Sequence, residues 1–502
     1  MAVHSLRKSD IQFRLKSHSE YMQASFAALA SAGLAVILLA SAYSGDGFNQ
    51  LLAYAGYAYC GFTLLQAFIW YRIRQDLIRS GSISPYVRLL GYPMMLSFAT
   101  GNVFAAAAAF HLVKQKKHTA YTLSVYALLA TLLVIAVTAL NMLKPYVANG
   151  FIFGALLLLL AAGLQLISLL LASRLDEGRL NPYLMWTIIV LQCIAAVSGN
   201  LFSLFAGILL LAKLRNKGYS AGSRFGEVLE RISHNMAAML GLLFVSVLLS
   251  LSITSVLTFD YSLAIDNNYS AILQSPSAQY PLGTDNFGRD LYTRIVLGAR
   301  ISLFVGFLST AIPLVIGGML GALSGYYGKR LDNWIMRSLD ILYAIPGILL
   351  AIAIIAAFGA GTMNLILALS VGSIPSYART MRANVLQVST LEYVQAARAF
   401  GSSDWVILTK HILPNAAAPM IVQCTLTIGT AVISTSSLSF LGLGVEPHIP
   451  EWGNILKLGS AYLETHSFTA IYPGLAIILL VLSFNFLGDG LRDALDPKIS
   501  RN

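Results

Sequence analysis

The chain has 502 residues, 57% of them hydrophobic and only 11% charged, with a mean hydropathy of +0.71. A soluble globular chain is excluded, because its apolar runs repeatedly reach the about 20 residues of helix that cross a bilayer core, and a β-barrel is excluded because runs such as 156–171 do not alternate. The net charge of +11 does not point to nucleic acid, since Lys and Arg sit in short loops between the apolar runs and near the start of the chain, the pattern that keeps basic loops inside.

The reading is an all-α polytopic membrane protein of about 12 transmembrane helices. The first twenty residues are polar and basic (Arg7, Lys8, Arg14, Lys16), which predicts no cleaved signal and a cytoplasmic N-terminus. Six spans are then expected near 22–43, 51–71, 87–113, 120–143, 149–172 and 182–212. Within them, residues 85–117 echo residues 182–217: each opens on Pro-Tyr, carries Gly-Asn followed by an aliphatic residue and Phe at its centre, and closes on basic residues. A duplicated three-helix unit would produce this. Because three is odd, the second copy would be inverted in the membrane. One misfit follows, since counting from a cytoplasmic N-terminus puts Lys114, Lys116 and Lys117 outside, against the charge rule.

Charge and glycine interrupt the apolar pattern at 213–235, which divides the chain into an N-terminal membrane domain, 1–220, and a second domain, 221–502. Six more spans are expected near 236–257, 299–326, 338–358, 363–382, 416–440 and 469–488. Here the inside loops carry Lys329, Arg330, Arg337, Arg379, Arg382, Arg398 and Lys410, and the tail Arg492, Lys498 and Arg501, so both termini are expected in the cytoplasm. Between the fourth and fifth of these spans lies EYVQAARAFGSSDWVILTKHILPN, residues 392–415. Its alanine-rich start forms a short helix, Gly401 ends it, and Ser402 or Ser403 caps the next. A helix with so little side-chain bulk suits docking into a groove on another protein, and equally a loop lying on lipid headgroups.

Cys60, Cys193 and Cys424 all lie in apolar runs without pairing spacing, so they are expected as core thiols. No metal-ligand spacing occurs, and His411 and His448 are isolated in loops. Neither a catalytic group nor a cofactor is expected: HExxH, GxSxG and paired membrane aspartates are missing, and GYYGKR at 325–330 lacks the spacing of a phosphate-binding loop. Asp340 stands near a helix start before Pro346, and Ser370, Ser373, Ser376, Tyr377, Thr425, Thr427, Ser434, Thr435 and Ser436 add polar groups to spans, where helix packing competes with pore lining.

The pattern QAARAFG at 395–401 followed by HILPN at 411–415 resembles the EAA loop of ABC importer permeases. Gln395 replaces the motif glutamate and Ile412 is displaced, while Ala396, Ala397, Gly401, Leu413 and Pro414 match. The stretches at 281–306, 325–354, 437–456 and 485–498 resemble the dipeptide/oligopeptide/nickel-type permeases, in the subunit with a long extracytoplasmic loop. The resemblance covers about 224–502 and leaves 1–220 uncovered. It implies a type I ABC importer permease core in a bacterial inner membrane, with a homologous second permease subunit, two cytoplasmic ATP-binding subunits and an extracytoplasmic substrate-binding protein as partners. It further implies that a coupling helix at 391–401, through Glu392, Tyr393, Gln395, Ala396, Ala397, Arg398 and Gly401, contacts the ATPase. Asp285, Arg289 and Asp290 lie in the extracytoplasmic loop, where they either face the binding protein or pair locally. Peptides are the commonest cargo implied, with nickel complexes, antimicrobial peptides and other solutes open. A secondary transporter built on an inverted repeat is the rival reading, although acids inside the spans are nearly absent.

Overall fold

The computed structural model describes residues 15, 18–43, 50–114, 118–144, 147–175, 181–215, 224–277, 279–446 and 448–496. Among them every regular element is a helix, with a single isolated β-bridge between Thr284 and Asp290. It forms two compact units. One comprises Met1–Ala136 and Leu158–Met236, the other Val137–Leu157 and Ala237–Asn502. The expected boundary near 220 therefore omits a detail: the segment 137–157, from the first half of the sequence, is built into the second unit. Part of the expected linker, 216–223, lies outside the described residues, as do Lys116 and Lys117.

Among the described residues seven helices are long and apolar enough to cross a bilayer, and the bent pair Lys329–Tyr343 with Gly347–Phe358, taken as one span, makes eight. Two more, Gln50–Arg79 and Thr362–Ser389, reach 30 and 28 residues but carry charges toward their ends. In the first half, helices α1 (Ser19–Tyr43), α2 (Gln50–Arg79), α6 (Thr119–Leu140) and α7 (Phe151–Ala172) occupy four of the expected spans.

The other two spans expected there, 87–113 and 182–212, are hairpins instead. The first descends through α3 (Pro85–Leu89), α4 (Gly91–Met95) and a 3-10 turn at Leu96–Thr100, and returns as α5 (Val103–Val113). Its limbs are antiparallel: Arg88 Nη1 donates to the carbonyl of Leu112 at 2.9 Å, and an added Cβ on Gly91 would sit 2.6 Å from Val113 Cγ2. The second pairs α8 (Pro182–Ala196) with α9 (Leu201–Arg215), Gly207 facing Cys193 across it. Limbs of 11 and 15 residues reach only about 16–22 Å at about 1.5 Å per residue, short of a core about 30 Å thick. Each hairpin therefore enters and leaves on one side.

The Gly-Asn echo is the tip of these hairpins. Gly101 and Gly199 reverse the chain at φ +74° and +87°, a conformation that costs glycine little. Asn102 then caps α5 by accepting from Ala105 N, and Asn200 accepts from Phe202 N and Ser203 N, satisfying donors that a helix start leaves open. Each tip is also tied to the first helix of its own copy, in matching register. Ser31 donates to Asn102 Oδ1 at 3.0 Å, Asn200 donates to Thr131 Oγ1 at 3.0 Å, and the two hydroxyls stand at corresponding positions of α1 and α6.

Each of the two stretches, 19–113 and 119–215, is thus two long helices followed by a hairpin, so the unit of three full crossings on which the expected inversion rests is not what these residues form. The topological misfit disappears with it: the loop that opens at Lys114 returns to the side of Arg79, and Lys114 Nζ reaches the carbonyl of Ser173 at 2.5 Å, beyond the end of α7.

In the second unit the expected spans appear as α11 (Met236–Thr258), α12 (Leu291–Tyr327), the bent pair α13 (Lys329–Tyr343) and α14 (Gly347–Phe358), α15 (Thr362–Ser389), α17 (Leu413–Phe440) and α19 (Phe468–Leu495). The bend of 82° between α13 and α14 falls at 344–346, where Pro346 cannot continue the preceding helix. Helices α12 and α15 run parallel in backbone contact. An added Cβ on Gly317, Gly321 or Gly325 would lie 2.7, 2.2 or 2.9 Å from the carbonyl oxygens of Ile374, Ala378 and Arg382, so the four-residue glycine repeat lets the axes approach as membrane helices do at small-residue seams.

Candidate functional site

The segment 392–415 folds as an elbow. Helix α16 (Glu392–Ala399) ends in a Schellman motif, with Ser402 N bonding Ala397 O at 3.1 Å and Gly401 N bonding Arg398 O at 3.0 Å. Gly401 takes φ +78°, and nothing lies within 4 Å of where its Cβ would be, so backbone conformation and not space selects glycine. Only Val394, 1% exposed, is buried. It inserts among Val385, Ile407, Leu408, Ile412, Ala416 and Tyr377, with Ala397 packed partly against the same group. That single apolar anchor joins the elbow to both the end of α15 and the start of α17.

The remaining predicted contact residues, Glu392, Tyr393, Gln395, Ala396, Arg398 and Gly401, face outward together. Phe400 is 90% exposed, and Trp405 and Leu391 are exposed as well. The position of the substituted motif carboxylate is neutral and local: Gln395 Nε2 donates to Thr390 O at 3.2 Å, closing the first turn of its own helix. Arg398 lies over the ring of Tyr326, 5.9 Å from its centroid, and Tyr326 donates its hydroxyl to Asp404 at 2.5 Å.

Past the elbow the chain winds as a π-helix at Ile407–Ile412 before α17 begins. Pro414 lacks the N–H that a regular turn would use. Beside it, the carbonyl of His411 accepts from Asn415 Nδ2 at 2.7 Å and from the Tyr393 hydroxyl at 3.3 Å. The Pro-Asn pair and the elbow tyrosine therefore share one carbonyl, which sequence reading does not reveal.

Two ion pairs tie α13 to α15 near this end. Arg382 grips Asp332 with two bonds of 2.6 Å, a geometry that fits guanidinium to carboxylate, and Ser324 adds a third donor. Asp340 pairs with Arg379 at 2.6 Å, with the side chains 56% and 40% exposed, so Asp340 is an ion-paired surface carboxylate of this chain and not one buried in its interior. The hydroxyls of Ser370, Ser373, Thr425 and Thr427 bond carbonyls four residues back in their own helices, a common resting state for such groups.

At the opposite end of α12, Asp285, Arg289 and Asp290 are all buried. Asp285 accepts from Phe287 N and Arg289 N and pairs with Arg289 Nε at 2.8 Å and Arg294 Nε at 3.6 Å, organising the turn around itself. Asp290 caps α12 through Tyr292 N and Thr293 N, and binds the ammonium of Lys144. Lys144, in the corner between α6 and α7, is a partner that sequence reading missed. Its neighbours complete the join: Asn141 Nδ2 donates to Thr258 O at 2.7 Å and Tyr292 donates to Val137 O at 2.5 Å. Burial lowers the Lys144 ammonium from its ordinary range, and Asp290 opposes that shift.

Helix α18 (Trp452–Ser460) is capped by the buried Glu451, whose carboxylate accepts from Asn454 N at 3.0 Å. Burial raises the Glu451 carboxyl above the usual carboxylate range. Trp452 donates to Ile295 O at 2.9 Å, fixing this segment to α12.

No group of three or more His, Cys, Asp or Glu among the described residues is placed to hold a metal. Residues 317–501 match the family described as "Binding-protein-dependent transport system inner membrane component". The chain is 43% identical over 281 residues to the dipeptide transport system permease protein DppC of Alkalihalophilus pseudofirmus, covering 56% of this chain and 92% of that protein. It is 42% identical over 289 residues to the glutathione transport system permease protein GsiD of Pectobacterium atrosepticum, covering 58% and 95%. A chain of the MetNI methionine ABC transporter, in an inward-facing conformation, aligns with TM-score 0.34 and 24% identity over 40% of this chain and 97% of its own. With nearly the whole of such relatives contained in it, this chain belongs to the binding-protein-dependent transport system inner membrane components, the permeases of ABC importers.

Proposed function

We propose that the chain is the permease subunit of a peptide-type ABC importer, moving short peptides or peptide-like thiols by alternating access while separate subunits hydrolyse ATP. The observation that carries this reading is the elbow. Its outward face, Glu392 to Gly401, is displayed as a patch, while its one buried side chain, Val394, is wedged between the two spans that an outside force would have to tilt. A docked ATPase that bound the two tilts unequally would shift their populations, which is all that alternating access needs. A second permease subunit completes the pore, an extracytoplasmic binding protein delivers the ligand, and the inner membrane holds both termini on its cytoplasmic side. The peptide cargo follows from the names of the relatives, DppC and GsiD.

A photo-crosslinking residue at Ala396 or Phe400, introduced in the host strain, tests the contact. Capture of a nucleotide-hydrolysing subunit, suppressed by replacing Gly401 with Val, is the expected result. Crosslinks to lipid alone, with uptake continuing after deletion of the ATPase genes, would overturn the proposal.

A further inference from the structure

In the first unit, the ends of α1, α5, α6 and α9 and the short amphipathic helix α10 (Arg224–His234) enclose a cavity of about 140 Å³ lined by polar residues. A single water needs about 10–15 Å³ by the same measure, so the space holds roughly ten waters or a group of similar bulk. Two of its donors stand without partners among the described residues. The ammonium of Lys213 makes no ion pair or hydrogen bond, and Thr122, 7% exposed, has a hydroxyl that bonds nothing.

His111, His118 and His234 add imidazoles to the lining. They do not converge on a metal among the described residues. The carboxylate present, Glu230, belongs to an exposed residue, while its backbone carbonyl accepts from Ser233 and bonds His234 Nδ1 at 2.7 Å. Gln23 Oε1 is buried without a partner and provides an acceptor for a protonated oxygen or a water. The lining is thus rich in donors, with the Lys213 ammonium the one lysine or arginine among its residues and the Glu230 carboxylate on an exposed side chain.

From this we infer that the cavity is a binding site for a phosphate-class anion, held by Lys213 and Thr122 with the imidazoles around it. Such an anion has two sources, the headgroup of an anionic phospholipid or a soluble phosphate ester, and both present the same oxygens. The site lies outside the permease region and is independent of the proposed transport role.

The test uses the full chain in detergent. Retention of phosphatidylglycerol over phosphatidylcholine is read by native mass spectrometry, and binding of glycerol 3-phosphate by calorimetry. Lys213→Met weakens whichever ligand binds roughly tenfold or more, Lys213→Arg preserves it, and the nearly isosteric Thr122→Val weakens it while the protein still elutes as a single folded species. Selective lipid retention identifies the headgroup as the source, and phosphate-ester binding identifies the soluble one. Absence of both, or equal affinity in wild type and the Met and Val variants, overturns the inference.

Discussion

Replacing Lys144 by Met isolates one interaction whose size the structure sets. The ammonium and the Asp290 carboxylate are each 2% exposed, so removing the cation leaves a buried carboxylate whose remaining partners are the backbone N–H groups and hydroxyl at the start of α12. Breaking a buried pair in this way costs about 3–5 kcal/mol, whereas the exposed pair of Arg379 and Asp340 is worth about 0–1 kcal/mol and is screened by salt. Lys144→Met is therefore expected to lower the Tm of the purified protein by roughly 5–10 °C, independently of salt between low and high ionic strength. The double variant Lys144→Met with Asp290→Asn keeps the helix cap, because an Asn oxygen still accepts from the backbone, and removes the stranded charge. It is expected to recover most of the loss. Thermal unfolding followed by fluorescence-detected size exclusion supplies the measurement. A Tm for Lys144→Met within about 1 °C of wild type, or a double variant as unstable as the sum of the singles, would refute the reasoning.

The hairpins make a topological prediction: cysteines placed at Lys114 and Arg79 are labelled by an impermeant maleimide from the same side of the membrane, and one at Asn149 from the other. Labelling of Lys114→Cys from the side of Asn149 would restore a full crossing. For Glu451, the folded state holds its proton more tightly than the unfolded chain, so stability is present below the ordinary carboxylate pKa of about 4.3 and is lost as pH rises toward the raised folded value. The Tm of wild type is expected to fall relative to that of Glu451→Gln across this rise. Parallel curves would show that the carboxyl is not perturbed.

Much of the second unit is readable from residues alone, because its apolar runs are separated by loops whose charges alternate in sign preference. The first unit is harder. A run such as 182–212 has the length of a span, and hydropathy cannot distinguish one helix from two that fold back at Ser198–Asn200. The signal was the recurrence of Gly-Asn at equivalent places, which fixes a left-handed turn followed by a cap, yet reads as a mere echo when strung along a line. Lys144 was illegible for another reason. A basic residue in a short loop counts toward membrane orientation, and nothing local indicates that its partner lies 146 residues away. Gln395 and Tyr393 show the opposite case, where the motif located the segment but their bonds to Thr390 and His411 depend on the folded geometry of the elbow.

A repeat that begins and ends on one face of the membrane has a genetic corollary. Two copies of such a module can be joined head to tail by a few residues, as they are between Val113 and Thr119, with neither copy forced to insert upside down.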